Sequence, residues 1–287
     1  MEQSLEWRSA LCINFIDYEK AFDSLDRNVL WDLMANYGIP RKIISLVKNT
    51  YEGTNCCILH EGGLTESFSI KSGVRQGCLL SPFLFLLDVD WIMKETTTGS
   101  RNGIQWSLLE QLEDLDFADD LALLAHTHTQ MQAKTTKLEA VSSKLGLKIN
   151  MDKTKTIRIN SNAREQIRIN NLGIEDVTSF TYLGSVINTT GGADEDVLAR
   201  IGKARSAFNT LSSIWRSREI TTTTKLRIIN SNVKSVLLYG SETWRMTERT
   251  VSKLQTFLNR CLRRILGMYC LPLSATLTCG KPQGKRL

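Results

Sequence analysis

Along the first two thirds of the chain, short apolar runs alternate with turn residues. In the last third, apolar positions recur every three or four residues. "CINFIDYEKAFD" (12–23) opens with a strand-like run over 13–16 that stops at Asp17. In "DRNVLWDLMANYGIP", Leu30, Leu33, Met34 and Tyr37 keep helical spacing, with Asp26 as N-cap and Gly38 and Pro40 as the stop. A short helix is predicted over 41–51, then a hairpin with strands at 56–59 and 68–70 across Gly62-Gly63. "SGVRQGCLLSPFLFLLDVDWIMKE" (72–95) reads as a glycine-punctuated loop entering a helix near Ser81-Pro82, where proline suits the first turn. "EDLDFADDLALLA" (113–125) reads as strand, Asp119-Asp120 turn, strand.

A helix is predicted over 128–145, with Leu138, Val141 and Leu145 on one face and Gly146 as its cap. "KTIRIN" and "VTSFTYLGSVI" supply more strands. From Asp194 onward three helical stripes follow: Val197, Ile201, Ala204, Phe208, Leu211; then Leu226, Ile229, Val233, Val236; then Val251, Leu254, Leu258, Cys261, Ile265. Beyond Met268 neither period holds, and 269–287 is expected to be an irregular tail.

Hydrophobic residues at 42% and charged residues at 23% are those of a globular protein. The apolar run at 82–87 is too short to span a bilayer, and no basic segment with an apolar stretch opens the chain. An intracellular protein of cytoplasm or nucleus, not secreted, is expected. Seven cysteines without a C-x-x-C pair, and three histidines, leave little for a zinc site and fit a reducing setting. The net charge of +6 hides a division. Residues 1–199 carry 19 Lys and Arg against 27 Asp and Glu, whereas 200–287 carry 17 against 3. A basic third beside an acidic body points to a polyanion bound by the one and cations held by the other; solvated lysine-rich helix faces are the plain alternative.

Asp119-Asp120 alone reads first as an acidic hairpin turn. Asp17 changes that. If its strand, 12–17, lies beside the 114–124 hairpin, three carboxylates converge and raise one another's pKa. Oxygen ligands without histidine favour Mg²⁺, and two such ions about 3.5–4 Å apart suit transfer onto a 3′-hydroxyl.

"FIDYEKAFD", "SGVRQGCLLSPFLF", "FADD", "GLKINMDKTK" and "FTYLG", in this order, closely resemble the successive motifs of reverse transcriptases of non-LTR (LINE-type) retrotransposons. The resemblance runs over about 12–268, and "SVLLYGSETW" is similar to the family's thumb. It implies an α+β fold: an antiparallel palm sheet with flanking helices and partial fingers over 1–191, then a basic helical thumb over 192–268. The family's N-terminal fingers motifs are expected to be missing before residue 12. No upstream endonuclease and no cysteine-histidine knuckle after the thumb is expected either.

By the same resemblance, the activity is RNA-directed DNA polymerase, with an RNA template, a DNA primer, dNTPs and two Mg²⁺ ions, or Mn²⁺ as substitute. Asp17, the Tyr18 carbonyl, Asp119 and Asp120 would hold the metals. Phe22 would be the steric gate that prefers deoxynucleotides, though its spacing also fits a core aromatic. Arg75, Gln76 and Gly77 would contact the nascent pair, with Asp23 as support. Lys153, or else Lys155, would protonate pyrophosphate. Tyr182, Leu183 and Gly184 would form the primer grip, or serve as core strand residues. Arg200, Lys203, Arg205, Arg216, Lys225 and Lys234 would track nucleic acid. The rival readings are a non-catalytic nucleic-acid-binding remnant and a group II intron maturase-like protein, which no maturase segment supports.

Overall fold

The run at 11–16 carries apolar side chains on both of its faces. It forms a strand, β1 (Leu11–Ile16), buried along its whole length. The structure, a computed structural model, describes residues 1–268 apart from 100, 108, 109, 162 and 164. The tail expected over 269–287 lies outside the described residues. The chain divides into two units, Met1–Gly192 and a second that begins at Ala193.

In the first unit, β1 is followed by helices α1 (Arg27–Asn36), α2 (Arg41–Tyr51) and α3 (Ser81–Thr97). Next come strands β2 (Asp114–Phe117) and β3 (Asp120–Ala125), helix α4 (His128–Lys144), and strands β4 (Lys155–Ile159) and β5 (Glu175–Asp176). A hairpin of β6 (Ser179–Tyr182) and β7 (Ser185–Asn188) ends the unit. The sheet runs in the order β5-β4-β1-β3-β2, antiparallel except where β5 joins β4. This α+β arrangement places the two strands that carry the acids, β1 and β3, side by side.

The local signals explain the helix ends. Asp26 accepts a hydrogen bond from the Asn28 N–H at 2.8 Å, capping α1, and Thr127 with Gln130 forms a capping box at α4. Side-chain alternation on β1 and β3 feeds two cores. Cys12, Ile16, Leu121 and Leu123 pack with α1, α3 and α4, while Leu11, Ile13, Phe15, Ala122 and Leu124 pack beneath the β6–β7 hairpin through Phe180 and Ile187. Buried Asn14 is satisfied between Thr135 and Thr156. The predicted hairpin at 56–70 is broken into two short ladders, 55–56 with 68–69 and 59–60 with 63–64.

The second unit contains α5 (Asp194–Thr210), α6 (Ser212–Arg216), α7 (Thr222–Ile228), α8 (Ser235–Leu238) and α9 (Glu248–Leu266). Val197, Ile201, Ala204 and Phe208 are buried as their spacing predicts. The second stripe is corrected. A π-helical segment, Ile229–Lys234, joins α7 to α8, and its wider turn shifts the buried face. Ile229, Val233 and Leu237 are therefore inside, whereas Leu226 is exposed. On α9, Val251 faces outward and Phe257 takes a core place.

Candidate active site

β1 and β3 pair in a register that runs from Cys12 opposite Ala125 to Ile16 opposite Leu121. Asp17 directly follows the last paired residue of β1 and Asp120 directly precedes Leu121 on β3, so both acids stand at the same end of the ladder. The tight turn that returns β2 into β3 is Ala118-Asp119, because Phe117 pairs with Asp120. This corrects the expected Asp119-Asp120 turn: Asp120 is the first residue of the strand and Asp119 stands exposed at the tip. Ala118 takes φ 56°, a left-handed conformation unfavourable for a residue with a Cβ.

Asp17 and Asp120 line one cavity of about 390 Å³, together with Lys153, Lys155, Phe180 and Tyr182. The Asp17 Oδ2 is closed off from solvent and has no hydrogen bond among the described residues. The Lys153 ammonium stands 3.3 Å from it. Burial raises the pKa of Asp120, and the charges of Asp119 and Asp17 add to the effect, while Lys153 opposes it. Asp119 is thus close enough to be felt, yet it does not line the cavity. Among the described residues no group of three His, Cys, Asp or Glu side chains forms a ready metal cage. The donor chemistry nevertheless fits a hard cation: two carboxylates at one cavity, with a third nearby on Asp119, whose mutual repulsion a positive ion relieves.

The 150–154 turn is tied to the end of β1. The Asn150 N–H donates to the Asp17 carbonyl at 2.8 Å, and the Asp17 N–H donates to Thr154 Oγ1 at 3.3 Å. The Asn150 side chain accepts from the N–H groups of Asp152 and Lys153, which brings Lys153 over Asp17. Lys155 also lines the cavity, but its ammonium pairs with Glu175 at 2.6 Å. Tyr18 directs its ring away into the core, where its hydroxyl meets Ser142 at 2.7 Å.

A second cavity, of about 750 Å³, is lined by Asp23, Arg27, Thr54, Arg75 and Gln76 among others. The loop before α3 lies on the chain just after β1. The Val74 N–H donates to the Phe22 carbonyl at 2.6 Å and the Gly73 N–H to the Leu25 carbonyl at 2.7 Å. A Cβ on Gly73 would lie 2.5 Å from the Phe22 oxygen, so only glycine fits there, and its φ of 75° agrees. Gly77 has open space around it, and its requirement is the φ of 83° alone. Phe22 is half-buried and stacks on Phe85 with centroids 4.7 Å apart.

A sequence model described as reverse transcriptase (RNA-dependent DNA polymerase) matches residues 2–187. The chain belongs to this reverse transcriptase family. A domain of unknown function also matches residues 207–239. The chain is 32% identical over 163 residues to a Pol polyprotein of the type-2 retrotransposable element R2DM of Drosophila melanogaster, covering 57% of this chain and 15% of the relative. It is 24% identical over 278 residues to an R2 Pol polyprotein of Popillia japonica, covering 92% of this chain and 37% of that one. To the RNA-directed DNA polymerase of the mobile element jockey of Drosophila funebris it is 21% identical over 264 residues, covering 88% of this chain and 28% of that one. The chain thus spans well under half the length of these relatives, which are non-LTR retrotransposon proteins. Among solved structures, apo telomerase from Candida tropicalis shares the fold, with a TM-score of 0.51 and 15% identity over 93% of this chain and 48% of that one.

Within this reverse transcriptase domain, Tyr182 sits at the acid cavity. Its hydroxyl donates to the carbonyls of Leu115 and Asp120 at 3.1 and 3.2 Å, and its ring packs on Phe15. Leu183 and Gly184, with φ 47° and 83°, form the tight turn between β6 and β7. In the second unit, Lys203, Arg205, Arg216 and Lys234 are exposed. Two expected nucleic-acid contacts are corrected. Arg200 is buried beside Asp196 with its guanidinium 4.3 Å from the Tyr239 ring centre. Lys225 is buried and donates to the carbonyls of Trp215 and Ser217, closing the end of α6. Each sits on the inward face of its helix, where a cation survives only with internal partners. Sequence reasoning missed Arg27; its place at the start of a helix gave no sign that it reaches another loop. No helix among the described residues is long and apolar enough to cross a membrane.

Proposed function

We propose that the chain is the catalytic part of an RNA-directed DNA polymerase that adds dNTPs to a primer 3′-hydroxyl on an RNA template. The pairing of β1 with β3 carries this reading, because it brings Asp17 and Asp120, distant in sequence, to one end of the sheet and into one cavity. Asp17 and Asp120, with Asp119 from the turn and the Tyr18 carbonyl, would hold two Mg²⁺ ions. Such ions activate the attacking hydroxyl and stabilise the leaving pyrophosphate.

The chain's own residues supply the rest. Lys153, 3.3 Å from Asp17, is placed to give a proton to the departing pyrophosphate, a contribution typically of ~10²–10⁴-fold. Phe22, braced by Phe85, offers a rigid edge against a 2′-hydroxyl. Arg75, Gln76 and Gly77 receive the nascent pair, and the β6–β7 turn at Tyr182, Leu183 and Gly184 seats the primer end. Exposed Lys203, Arg205, Arg216 and Lys234 meet backbone phosphates.

The test is primer extension on an RNA template by wild type and Asp120→Asn. The variant should lose extension by at least ~10²-fold, as when a charge-stabilising group is removed, and keep its template–primer affinity. Signal no higher than background from both proteins would favour a binding-only remnant.

A further inference from the structure

The loop at 70–76 is held by one side chain from outside it. Arg27, the first residue of α1, spends its whole guanidinium on loop carbonyls: Nε donates to Gly73 at 2.7 Å, and its two terminal nitrogens donate to Ile70 and Ser72 at 2.9 and 3.0 Å. Ser72 in turn donates to the Asp23 carbonyl at 3.0 Å. These bonds press Gly73 and Val74 onto the backbone of Phe22 and Asp23. The Tyr51 ring lies within 5.0 Å of the Arg27 guanidinium and 5.4 Å of that of Arg75. Arg75 also donates to the Thr50 carbonyl and to Thr54. The Tyr51 hydroxyl reaches Ser81, at the start of α3, at 3.2 Å.

Resting on the polymerase reading, we propose that Arg27 is a positioning residue for the nucleotide pocket: its three-carbonyl clamp fixes the distance between Phe22 and the Arg75-Gln76 pair. Arg27, Arg75 and Gln76 line one cavity with Asp23, the neighbour of Phe22, and that cavity is the space whose width the clamp sets. A solvated turn would need no such fork. A lysine could not replace it, since one ammonium cannot meet three carbonyls in a plane. The hydrogen bonds join the loop to Phe22 through backbone atoms, so loosening the loop alters the pocket without touching Asp17 or Asp120.

The test compares wild type, Arg27→Lys and Arg27→Ala in the full chain. In Arg27→Ala, KM for dNTP should rise about 10-fold or more while kcat stays within about 3-fold, the pattern of lost binding and not of lost chemistry. Template–primer affinity should be unchanged, and Arg27→Lys should lie between. Hydrogen exchange at the Gly73 and Val74 amides should speed up about 10-fold in Arg27→Ala. Unchanged exchange overturns the clamp whatever the activity. A fall in kcat at constant KM, in step with a lowered melting temperature, assigns Arg27 a structural role only. A wild type that does not extend primers sinks the polymerase reading and the nucleotide role with it, and the exchange result still decides whether the loop is clamped.

Discussion

Asp88 and Asp90 both interrupt the apolar run of α3, and they meet opposite fates. Asp90 accepts hydrogen bonds from Tyr37 and, at 2.6 Å, from Lys94. Asp88 is fully buried, and neither of its oxygens has a hydrogen-bond partner among the described residues. Burial pushes its carboxyl up to about 8, from an ordinary 3.8. Between those values the folded state keeps a proton that the unfolded chain has released. Stability from this group is therefore full below about pH 4 and declines as pH rises toward 8, by several kcal/mol in all. Denaturant melts of wild type and Asp88→Asn across pH 5 to 8 should show a falling curve for the former and a flatter one for the latter. Which side of the helix faces the core decides the protonation of Asp88.

The two hairpins at the acid cavity act together. β2–β3 carries Asp120 at the mouth of its turn, and β6–β7 reaches it through the Tyr182 hydroxyl. Tyr182→Phe keeps the ring on Phe15 and removes both hydrogen bonds. It should lower stability by about 0.5–1.5 kcal/mol, measured by denaturant titration, and reduce kcat for extension more than KM for dNTP. Most elements here were legible because periodicity and caps agree: Asp26 caps α1 where the helical spacing starts, and α4 begins at His128 as its period predicts. The misplaced acidic turn and the exposed Leu226 have a common cause. One residue of turn register, or one π turn, changes which face a side chain occupies, and local composition does not encode that.

Over the whole molecule, the charge division survives folding in altered form. The basic part from residue 200 onward keeps exposed cations at Lys203, Arg205, Arg216 and Lys234, while Arg200 and Lys225 are withdrawn into its core. If the exposed set meets phosphates, affinity for a template–primer should fall steeply with salt. The slope of log affinity against log salt should shrink by roughly 0.7–0.9 for each contact removed in Arg205→Ala and Lys234→Ala. Arg200→Ala should leave that slope alone and lower the melting temperature of its own unit. A slope unchanged by the surface pair would remove those two residues from the interface.

The sequence by itself determined the family, through motifs whose order and residue types are local facts, and it determined most helices and strands through their periods and caps. Tertiary structure alone decided which acids share a cavity, which lysine stands over Asp17, and which arginine holds the carbonyls of the 70–76 loop. Those outcomes depend on strand register and on contacts between segments far apart in the chain, and no local pattern of side chains carries that distance information.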